Sequence, residues 1–443
     1  MKNLEGGILK RVNIGICGLG TVGSGTFNVL KRNVDEINAR ANSQIEITHI
    51  GARRENPLCD TAGIKVSRDI FDVANDPDVD ILVELIGGTS VALDLISQAL
   101  RNGKHVVTAN KALIAEHGNT LFELAREHKA TLSFEAAVAG GIPIISALRE
   151  GLAANKVEWL AGIINGTGNF ILTEMRDKGR EFADVLAQAQ ELGYAEADPT
   201  FDVEGIDAAH KLVILAAIAF GAPLQFDKVF TEGISNVLPE DLTYAQDLGY
   251  QIKHLGIARR RDSGGIELRV HPTLVPSAQL IANVDGVMNA VLVKGDAVGS
   301  TLYYGPGAGS EATASAVIAD IVRVSRSIGV ASDNHIPHLG SIDSKLQEPY
   351  VLPITEVETA YYLRMSVLDR PGVLSTVTQI LSDAGISIEA LVQKEPNEGE
   401  PHVPVILLTS RAIEKRLVGA IEEIEKLDTI SDKIVRIRVE HLN

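Results

Sequence analysis

Five carboxylates and one lysine are concentrated in a short segment that leads into an apolar helix. The segment Gly193–Lys211 reads GYAEADPTFDVEGIDAAHK, and the nine residues Leu212–Phe220 that follow are all apolar. A helix that is apolar on every side must be buried. Asp207 and Lys211 stand four residues apart and therefore share a helix face at the edge of a core. An ammonium that a carboxylate holds in place there could donate a proton or stabilise a developing negative charge.

A simpler interpretation of the same residues stays open. Asp207 and Lys211 could form an ordinary helix ion pair, worth about 0.3–0.5 kcal/mol. Among the other acids, Glu196 and Asp202 are candidates for a polar site, whereas Asp198 and Glu204 are interpreted as turn or cap residues.

A glycine motif near the N-terminus indicates a dinucleotide site. The predicted strand Arg11–Cys17 is followed by GLGTVG and then by a helical pattern from Val22 to Ala39. The motif comprises Gly18, Leu19, Gly20, Thr21, Val22 and Gly23. Glycines between a strand and a helix let the backbone approach a pyrophosphate at the helix N-terminus. The alternative is a tight turn without a ligand.

Two arginines after the second predicted strand favour NADP(H) over NAD(H). NAD enzymes usually carry an acid at this position, which binds the ribose 2′-hydroxyl. Here Arg53 and Arg54 follow Ile45–Ala52, and guanidinium groups suit a 2′-phosphate. They could instead be two solvated surface residues.

Strands alternate with helices through the first third of the chain, which predicts an α/β fold with a doubly wound, parallel sheet. Ligands of such sheets bind beyond the carboxyl ends of the strands. Thr108 and Lys111 follow the predicted strand His105–Asn110 and are expected near the nicotinamide. Lys111 could also be a surface lysine at a helix start. A further strand is predicted over Thr131–Val138.

Three glycine-rich turns follow. Glu135 and the turn Ala137–Ile145 offer oxygen atoms that could bind a hard cation, although a plain hinge is the stronger interpretation from chemistry alone. In the turn Asn165–Asn169, the amides of Gly166 and Thr167 could bind a small ligand, or the segment could be a simple β-turn. The turn Gly305–Ser310, which contains Gly307, could return the chain to the cofactor, and Ser310 is predicted to cap the helix Glu311–Ser327.

Composition excludes several classes of partner. The net charge is −17 over 443 residues, without a Lys/Arg-rich run, so nucleic acid and anionic membranes are unexpected partners. The sequence has no stretch of about 20 apolar residues, so no membrane span is predicted. Two cysteines, Cys17 and Cys59, form no disulfide framework, which fits a cytoplasmic protein.

The C-terminal part of the chain has the predicted element order βαββαβ, which is ferredoxin-like. This order favours a small-ligand sensor over a catalytic scaffold.

These motifs resemble those of the homoserine dehydrogenases, in particular the bacterial, single-activity type with a C-terminal ACT domain. The resemblance covers most of Val12–Arg323, and DRPGVL at Asp369–Leu374 resembles the ACT signature. The matching motifs are GLGTVG, VTANK, FEAAVAGGIPII, GIINGT, LGYAEADP and the Asp207–Lys211 spacing. The set LGYAEADP with Asp-x-x-x-Lys is specific, whereas GxGxxG alone is not.

The resemblance implies NAD(P)-dependent interconversion of L-homoserine and L-aspartate 4-semialdehyde in threonine, methionine and isoleucine biosynthesis. It implies Lys211 as proton donor and Lys111 as a second catalytic or cofactor lysine. It implies a substrate site with Glu196, Asp202, Asp207, Gly166, Thr167 and Tyr194. It also implies a sodium site at Glu135, Val138, Gly140 and Ile142.

The resemblance further implies threonine feedback at the ACT domain and a homodimer or homotetramer. We predict a Rossmann-type domain over 1–140 with a return helix near 305–330, and a substrate and dimerisation domain of α+β type over 141–335. A linker over 336–355 and the ACT domain over 356–443 complete the chain.

The sequence leaves two alternative functions. A cysteine-dependent aldehyde dehydrogenase needs a nucleophilic thiolate, and neither cysteine lies between a nucleotide fold and a substrate domain. A non-catalytic regulator would bind nucleotide and amino acid, but it needs no second polar centre of acids and lysine.

Overall fold

The computed structural model describes residues 10–331, 335–341, 348–393 and 401–443, which form two compact units. The first unit comprises Met1–Leu160, His210–Asp227 and Met288–Glu348. The second comprises Ala161–Ala209, Lys228–Val287 and Pro349–Asn443. Because both units are assembled from separated segments, the linear domain boundaries given above stay a prediction.

The first unit is built on a six-stranded parallel sheet with the order β3-β2-β1-β4-β5-β6. Its strands are β1 (Lys10–Cys17), β2 (Ser43–Gly51), β3 (Lys65–Ser67), β4 (Ile81–Glu84), β5 (His105–Thr108) and β6 (Leu132–Ser133). Its helices are α1 (Thr21–Arg32), α2 (Val34–Ala41), α3 (Phe71–Asn75), α4 (Ser90–Arg101), α5 (Lys111–Glu127) and the single turn α6 (Ile144–Ser146). The predicted doubly wound α/β sheet is confirmed.

The returning C-terminal part of this unit completes its core. The antiparallel hairpin β11 (Met288–Gly295) and β12 (Gly299–Pro306) leads into α12 (Ser310–Ser327). Val317, Ile321 and Val324 of α12 pack in one apolar cluster with Val12 and Ile14 of β1. The predicted return helix near 305–330 therefore belongs to the nucleotide fold.

Several local predictions in this unit were wrong. The helix predicted from Val22 to Ala39 breaks at Asn33, which leaves helical geometry at φ −110° and ψ 24°. Ser310 is the first residue of α12 rather than its cap, because Gly309 occupies the cap position. The strand predicted over Thr131–Val138 shrinks to β6, and Glu135–Ala137 forms a 3-10 turn.

The second unit combines helices with a sheet of the order β9-β10-β17-β13-β15-β14. Its strands are β8 (Phe230–Thr231), β9 (Tyr250–Arg260), β10 (Ile266–Pro276), β13 (Glu358–Leu368), β14 (Ile388–Gln393), β15 (His402–Thr409), β16 (Ala412–Ile413) and β17 (Val435–Val439). Its helices are α7 (Gly166–Lys178), α8 (Phe182–Glu191), α9 (Thr200–Val203), α11 (Pro239–Asp247), α13 (Val373–Asp383) and α14 (Glu414–Ile424). Strand β7 (Val157–Ile163) and helix α10 (Ile206–Phe220) complete the chain.

The C-terminal strands β17-β13-β15-β14 with α13 and α14 have the predicted ferredoxin-like order. This sheet is not isolated, because its edge strand β17 pairs in parallel with β10 through Thr273–Arg438 and Leu274–Val439.

Two residues of the predicted linker make structural contacts. Leu339 is buried, and Val351 forms a β-bridge with Ile266. Residues 342–347 of that segment lie outside the described residues.

Within the described residues, we find no helix that combines the length and the apolar character needed to cross a membrane.

Candidate functional site

The glycine loop after β1 has the geometry of a dinucleotide-binding turn. Gly18 has φ +100°, and a Cβ there would lie 2.6 Å from the carbonyl oxygen of Leu85. A Cβ at Gly23 would lie 2.0 Å from the carbonyl oxygen of Gly18, so α1 approaches the strand closely. At Gly20, by contrast, a Cβ would meet nothing within 4 Å. The helix N-terminus is therefore open on the side of Gly20, where an anion could bind.

Helix α12 holds this loop from the other side. Ser310 Oγ donates a hydrogen bond to the carbonyl oxygen of Thr21 over 2.7 Å. A Cβ at Gly25 would lie 2.4 Å from that same Oγ, so α1 and α12 are in close contact. Ser310, at the end of the Gly305–Ser310 turn, thus contacts the glycine loop, and the predicted return of this turn to the cofactor stays a prediction.

A cavity of about 230 Å³ adjoins the loop at the end of β2. It is lined by residues that include Leu19, Arg54, Asn56 and Cys59. Asn56 Nδ2 donates to the carbonyl oxygen of Leu19 over 2.7 Å, which fixes the cavity wall to the loop. Arg53 and Arg54 are both exposed, and Arg54 is the one that lines the cavity.

The carboxyl ends of β4 and β5 carry a buried acid that the sequence did not reveal. Glu84 is fully buried and accepts a 2.5 Å hydrogen bond from Thr108 Oγ1. It also accepts the backbone N–H of Ile86 over 2.9 Å. Lys111 is half-buried at the start of α5, which Asn110 caps by accepting the N–H of Leu113. Thr108 and Lys111 therefore lie at the predicted edge of the sheet.

The loop Val138–Ile142 is compact and packs against the returning chain. Ala139 and Gly140 have φ of +54° and +41°. A Cβ at Gly140 would lie 2.5 Å from the carbonyl oxygen of Gly307, and the N–H of Gly141 donates to Pro306 over 3.0 Å.

The carboxylate of Glu135 already has several donors. It accepts the N–H groups of Ile145 and Ser146, each over 2.9 Å, and lies 3.6 Å from Arg323. This side chain is therefore engaged by donors of the protein itself, and the predicted cation site at Glu135 stays a prediction. No group of three or more His, Cys, Asp or Glu side chains suited to a metal occurs within the part of the chain that the structure describes.

In the second unit, one amide side chain joins two carboxylates. Asn165 Nδ2 donates to Asp202 Oδ1 over 2.8 Å and to Asp207 Oδ2 over 2.9 Å. Asn165 Oδ1 accepts the N–H of Gly168 over 2.7 Å and so caps α7. The predicted turn Asn165–Asn169 is therefore the capped first turn of a helix. We call Asn165, Asp202 and Asp207 the amide–carboxylate cluster.

The other predicted substrate residues border this cluster in sequence. Thr167 Oγ1 donates to the carbonyl oxygen of Tyr194 over 2.5 Å, and the Tyr194 ring meets Phe170 edge-on at 5.2 Å. Gly166 is the first residue of α7. Glu196 is exposed, and its backbone carbonyl accepts Gln190 Nε2 over 3.0 Å.

Helix α10 presents Asp207 and Lys211 on one face, since they lie four residues apart. Asp207 is buried, with 5% of its surface exposed, and Lys211 is half-buried. The residues from Leu212 to Ile218 are all buried, as the apolar sequence predicts. The pair thus lies at the edge of a core rather than on an open surface.

Both cysteines lack the character of a nucleophile. Cys17 and Cys59 are buried. Burial, with a smaller contribution from the charge of Glu84, raises the pKa of the Cys17 thiol far above its usual value. Burial also raises the pKa of Cys59. A thiolate mechanism is therefore disfavoured.

Asn165 and Glu84 are polar residues that sequence reasoning missed. Asn165 carried a usable signal, because an asparagine between a strand and a helical pattern is typical of an N-cap. Glu84 carried none, since an acid at the end of a short strand predicts no particular partner.

Family models match this chain over most of its length. The model for the homoserine dehydrogenase NAD-binding domain matches residues 18–135, and the homoserine dehydrogenase model matches 143–322. An ACT domain model matches 361–429. A homoserine dehydrogenase of Pseudomonas aeruginosa is 62% identical over 98% of this chain and 100% of its own length. The chain belongs to the homoserine dehydrogenase family. It is an NAD(P)-dependent oxidoreductase with a C-terminal ACT domain.

Solved structures of the family agree with the fold. A homoserine dehydrogenase from Thiobacillus denitrificans is 57% identical, with a TM-score of 0.93 over 98% of this chain and 99% of that one. A hyperthermophilic archaeal homoserine dehydrogenase in complex with NADPH is 27% identical, with a TM-score of 0.59 over 71% of this chain and 97% of that one.

Proposed function

We propose that this homoserine dehydrogenase interconverts L-aspartate 4-semialdehyde and L-homoserine, with Lys211 as the proton donor. One observation carries the proposal: Asp207, a member of the amide–carboxylate cluster, shares a helix face with Lys211. A bound reduced nicotinamide would supply the hydride that adds to the aldehyde carbon. The Lys211 ammonium then donates a proton to the carbonyl oxygen, which gives the alcohol; in the reverse direction the amine accepts it.

The zwitterionic substrate needs partners for its charges. Its ammonium has three carboxylates available, those of Asp202, Asp207 and the exposed Glu196. Its carboxylate has the backbone amides of the first turn of α7, at Gly166 and Thr167. Tyr194 is positioned through Thr167 and Phe170 and would border the same pocket. Asp207 therefore has two proposed tasks, which are to bind substrate and to hold Lys211. We propose Lys111 as a second lysine, at the carboxyl end of the parallel sheet near the nicotinamide.

This function is tested by measuring the reaction rate in both directions. Purified enzyme is mixed with L-aspartate 4-semialdehyde and either NADPH or NADH, and the absorbance of the reduced nicotinamide is followed. We expect oxidation of the nicotinamide in proportion to enzyme concentration, and oxidation of L-homoserine in the reverse assay. An enzyme that binds both ligands but leaves the absorbance unchanged would be the non-catalytic regulator.

NADP(H) is the proposed cofactor, bound by the loop Gly18–Gly23 with Thr108 and Gly307 nearby. The support is Arg54 in the cavity beside Leu19, with Arg53 next to it, and a relative that binds NADPH. We expect Arg54→Ala to raise KM for NADPH about 10-fold or more, since a charge-assisted bond contributes about 1.5–3 kcal/mol. KM for NADH should stay within about 2-fold. An equal rise for both cofactors would show that Arg54 does not bind the 2′-phosphate.

A sodium ion is proposed at the loop Val138–Ile142. Positive φ at Ala139 and Gly140 gives this buried loop the sharp turn in which several carbonyl oxygens can converge on one ion. The ligands would be the backbone carbonyls of Glu135, Val138, Gly140 and Ile142, because the Glu135 carboxylate is engaged by two amides.

We also propose threonine as a feedback effector at the ACT domain, and a homodimer or homotetramer in the cytoplasm, both from the family resemblance. Initial rates measured across a threonine titration should fall by more than half at saturation. Rates that do not change at any threonine concentration would exclude this effector.

The proposed homo-oligomer has support in two exposed apolar side chains of the β11–β12 hairpin, Val298 and Tyr304. They fit a surface that a second copy of the chain covers.

A further inference from the structure

A buried histidine packs against two glycines, Gly168 and Gly205, that lie close to members of the amide–carboxylate cluster along the chain. His254 lies in β9, with 5% of its surface exposed. A Cβ at Gly205, which directly precedes α10, would lie 3.2 Å from His254 Cε1 and Nε2. A Cβ at Gly168, whose N–H binds Asn165, would lie 3.6 Å from His254 Nδ1. The ring therefore contacts the backbone on which Asn165 and Asp207 are mounted.

A single hydrogen bond orients this ring. His254 Nε2 lies 3.0 Å from the carbonyl oxygen of Glu232. Because a carbonyl oxygen only accepts, Nε2 carries the proton and donates it. Burial lowers the pKa of His254 to about 4, so the ring is neutral at physiological pH. Nδ1 has no hydrogen-bond partner among the described residues.

Glu232 is in turn held from the ferredoxin-like domain. Its N–H donates to the carbonyl oxygen of Val270 over 2.8 Å, and its carboxylate accepts Arg438 Nη1 over 2.9 Å. Arg438 lies in β17 and is fully buried. Its guanidinium also binds Glu414, the first residue of α14, with Nε donating over 2.8 Å and Nη2 over 2.5 Å. One arginine thus joins an acid of the ACT domain to the residue that orients His254.

We propose that His254 and Glu232 are positioning residues for the amide–carboxylate cluster, and that Arg438 of the ACT domain is their anchor. The inference rests on the proposed substrate role of that cluster. Loss of the anchor lets the Glu232 carbonyl shift, the His254 ring follows, and the turns at Gly168 and Gly205 loosen. In an active site, a misplacement of about 1 Å can cost about 100-fold in rate, even when the mutation lies far from the reacting atoms.

The first test is Glu232→Gln, which removes the charge that Arg438 binds but leaves Arg438 paired with Glu414. Its matched control is Glu358→Gln, because Glu358 is 44% exposed and lies 3.7 Å from Arg261 in another acid–arginine contact of the same unit. We expect Glu232→Gln to raise KM for homoserine about 3- to 10-fold and to lower kcat as well, because Asp207 also holds Lys211, while KM for NADP⁺ stays within about 2-fold of wild type. The control should leave all three unchanged. A Glu232→Gln enzyme that matches its control would overturn the proposal.

The second test compares His254→Ala with His254→Gln. The glutamine amide is neutral and can donate to the Glu232 carbonyl as Nε2 does, whereas alanine removes both the donor and the packing. We expect His254→Ala to raise KM for homoserine by about 10-fold or more and His254→Gln to restore it to within about 3-fold of wild type. If glutamine rescues no better than alanine, the positioning role of His254 is wrong.

Asp202→Asn separates this inference from the function on which it rests. Asp202 belongs to the cluster itself, so its loss should raise KM for homoserine whether or not His254 positions the cluster. Unchanged kinetics in Asp202→Asn would overturn both proposals. A raised KM in Asp202→Asn together with an unchanged Glu232→Gln would overturn only the positioning by Glu232 and its anchor.

Discussion

Lys211→Ala is expected to lower kcat for both reaction directions by at least about 100-fold, since general acid–base catalysis contributes about 10²–10⁴-fold in rate. The physical reason is that hydride addition leaves a negative oxygen, which Lys211 is proposed to protonate. Alanine has a high helix propensity, so α10 should persist. Steady-state rates with L-aspartate 4-semialdehyde and NADPH measure the effect, and the melting temperature reports whether the fold survives.

Lys178→Ala is the matched control for this variant. Lys178 pairs with Glu174 four residues away on α7, as Lys211 is spaced from Asp207, but it is 53% exposed. An ion pair of this exposed kind contributes about 0.3–0.5 kcal/mol to stability and nothing to chemistry. Lys178→Ala should therefore keep wild-type kcat. If Lys211→Ala also kept it, the Asp207–Lys211 pair would be an ordinary helix ion pair.

Asp207→Asn is expected to lower kcat/KM for homoserine about 10- to 100-fold, because a hydrogen bond to a charged group is worth about 1.5–3 kcal/mol. The amide keeps nearly the size of the carboxylate but loses the negative charge that binds the substrate ammonium and holds Lys211. Since Asp207 has both tasks, kcat should fall and KM should rise. Initial rates across homoserine concentrations separate the two parameters.

Glu196→Gln shows what loss of substrate binding alone looks like. Glu196 is exposed and lies outside α10, so its loss should raise KM for homoserine and leave kcat near wild type. Unchanged kinetics would remove Glu196 from the substrate site. An Asp207→Asn enzyme whose kcat equals that of Glu196→Gln would show that Asp207 binds substrate without assisting Lys211.

Local sequence patterns predicted the parts of the fold whose interactions are local. The strand β1, the glycine turn and α1 follow from neighbouring residues, and so does the buried face of α10. The strand predicted over Thr131–Val138 failed because distant residues decide its conformation. The N–H of Glu135 donates to the carboxylate of Asp320 over 2.7 Å, and the side chain of Glu135 binds Ile145 and Ser146. No pattern within eight residues reveals such partners.

The candidate site divides in the same way. Its acids and lysine stand out because charged residues beside an apolar helix are unusual, but their common partner Asn165 lies some forty residues earlier in the chain. The pairing of β10 with β17 joins Thr273 to Arg438. An alternating strand pattern predicts that each strand has a buried face, and it does not predict which distant strand lies beside it.

The most direct test of the central claim is the turnover of Lys211→Ala in the presence of a small amine. Reduction of L-aspartate 4-semialdehyde by NADPH is measured across a methylammonium series at constant ionic strength, with Lys178→Ala in parallel. If the Lys211 ammonium donates the proton, turnover should be very low without amine and should rise with amine concentration, while Lys178→Ala shows no response. Turnover of Lys211→Ala near the wild-type rate without any amine would contradict the account.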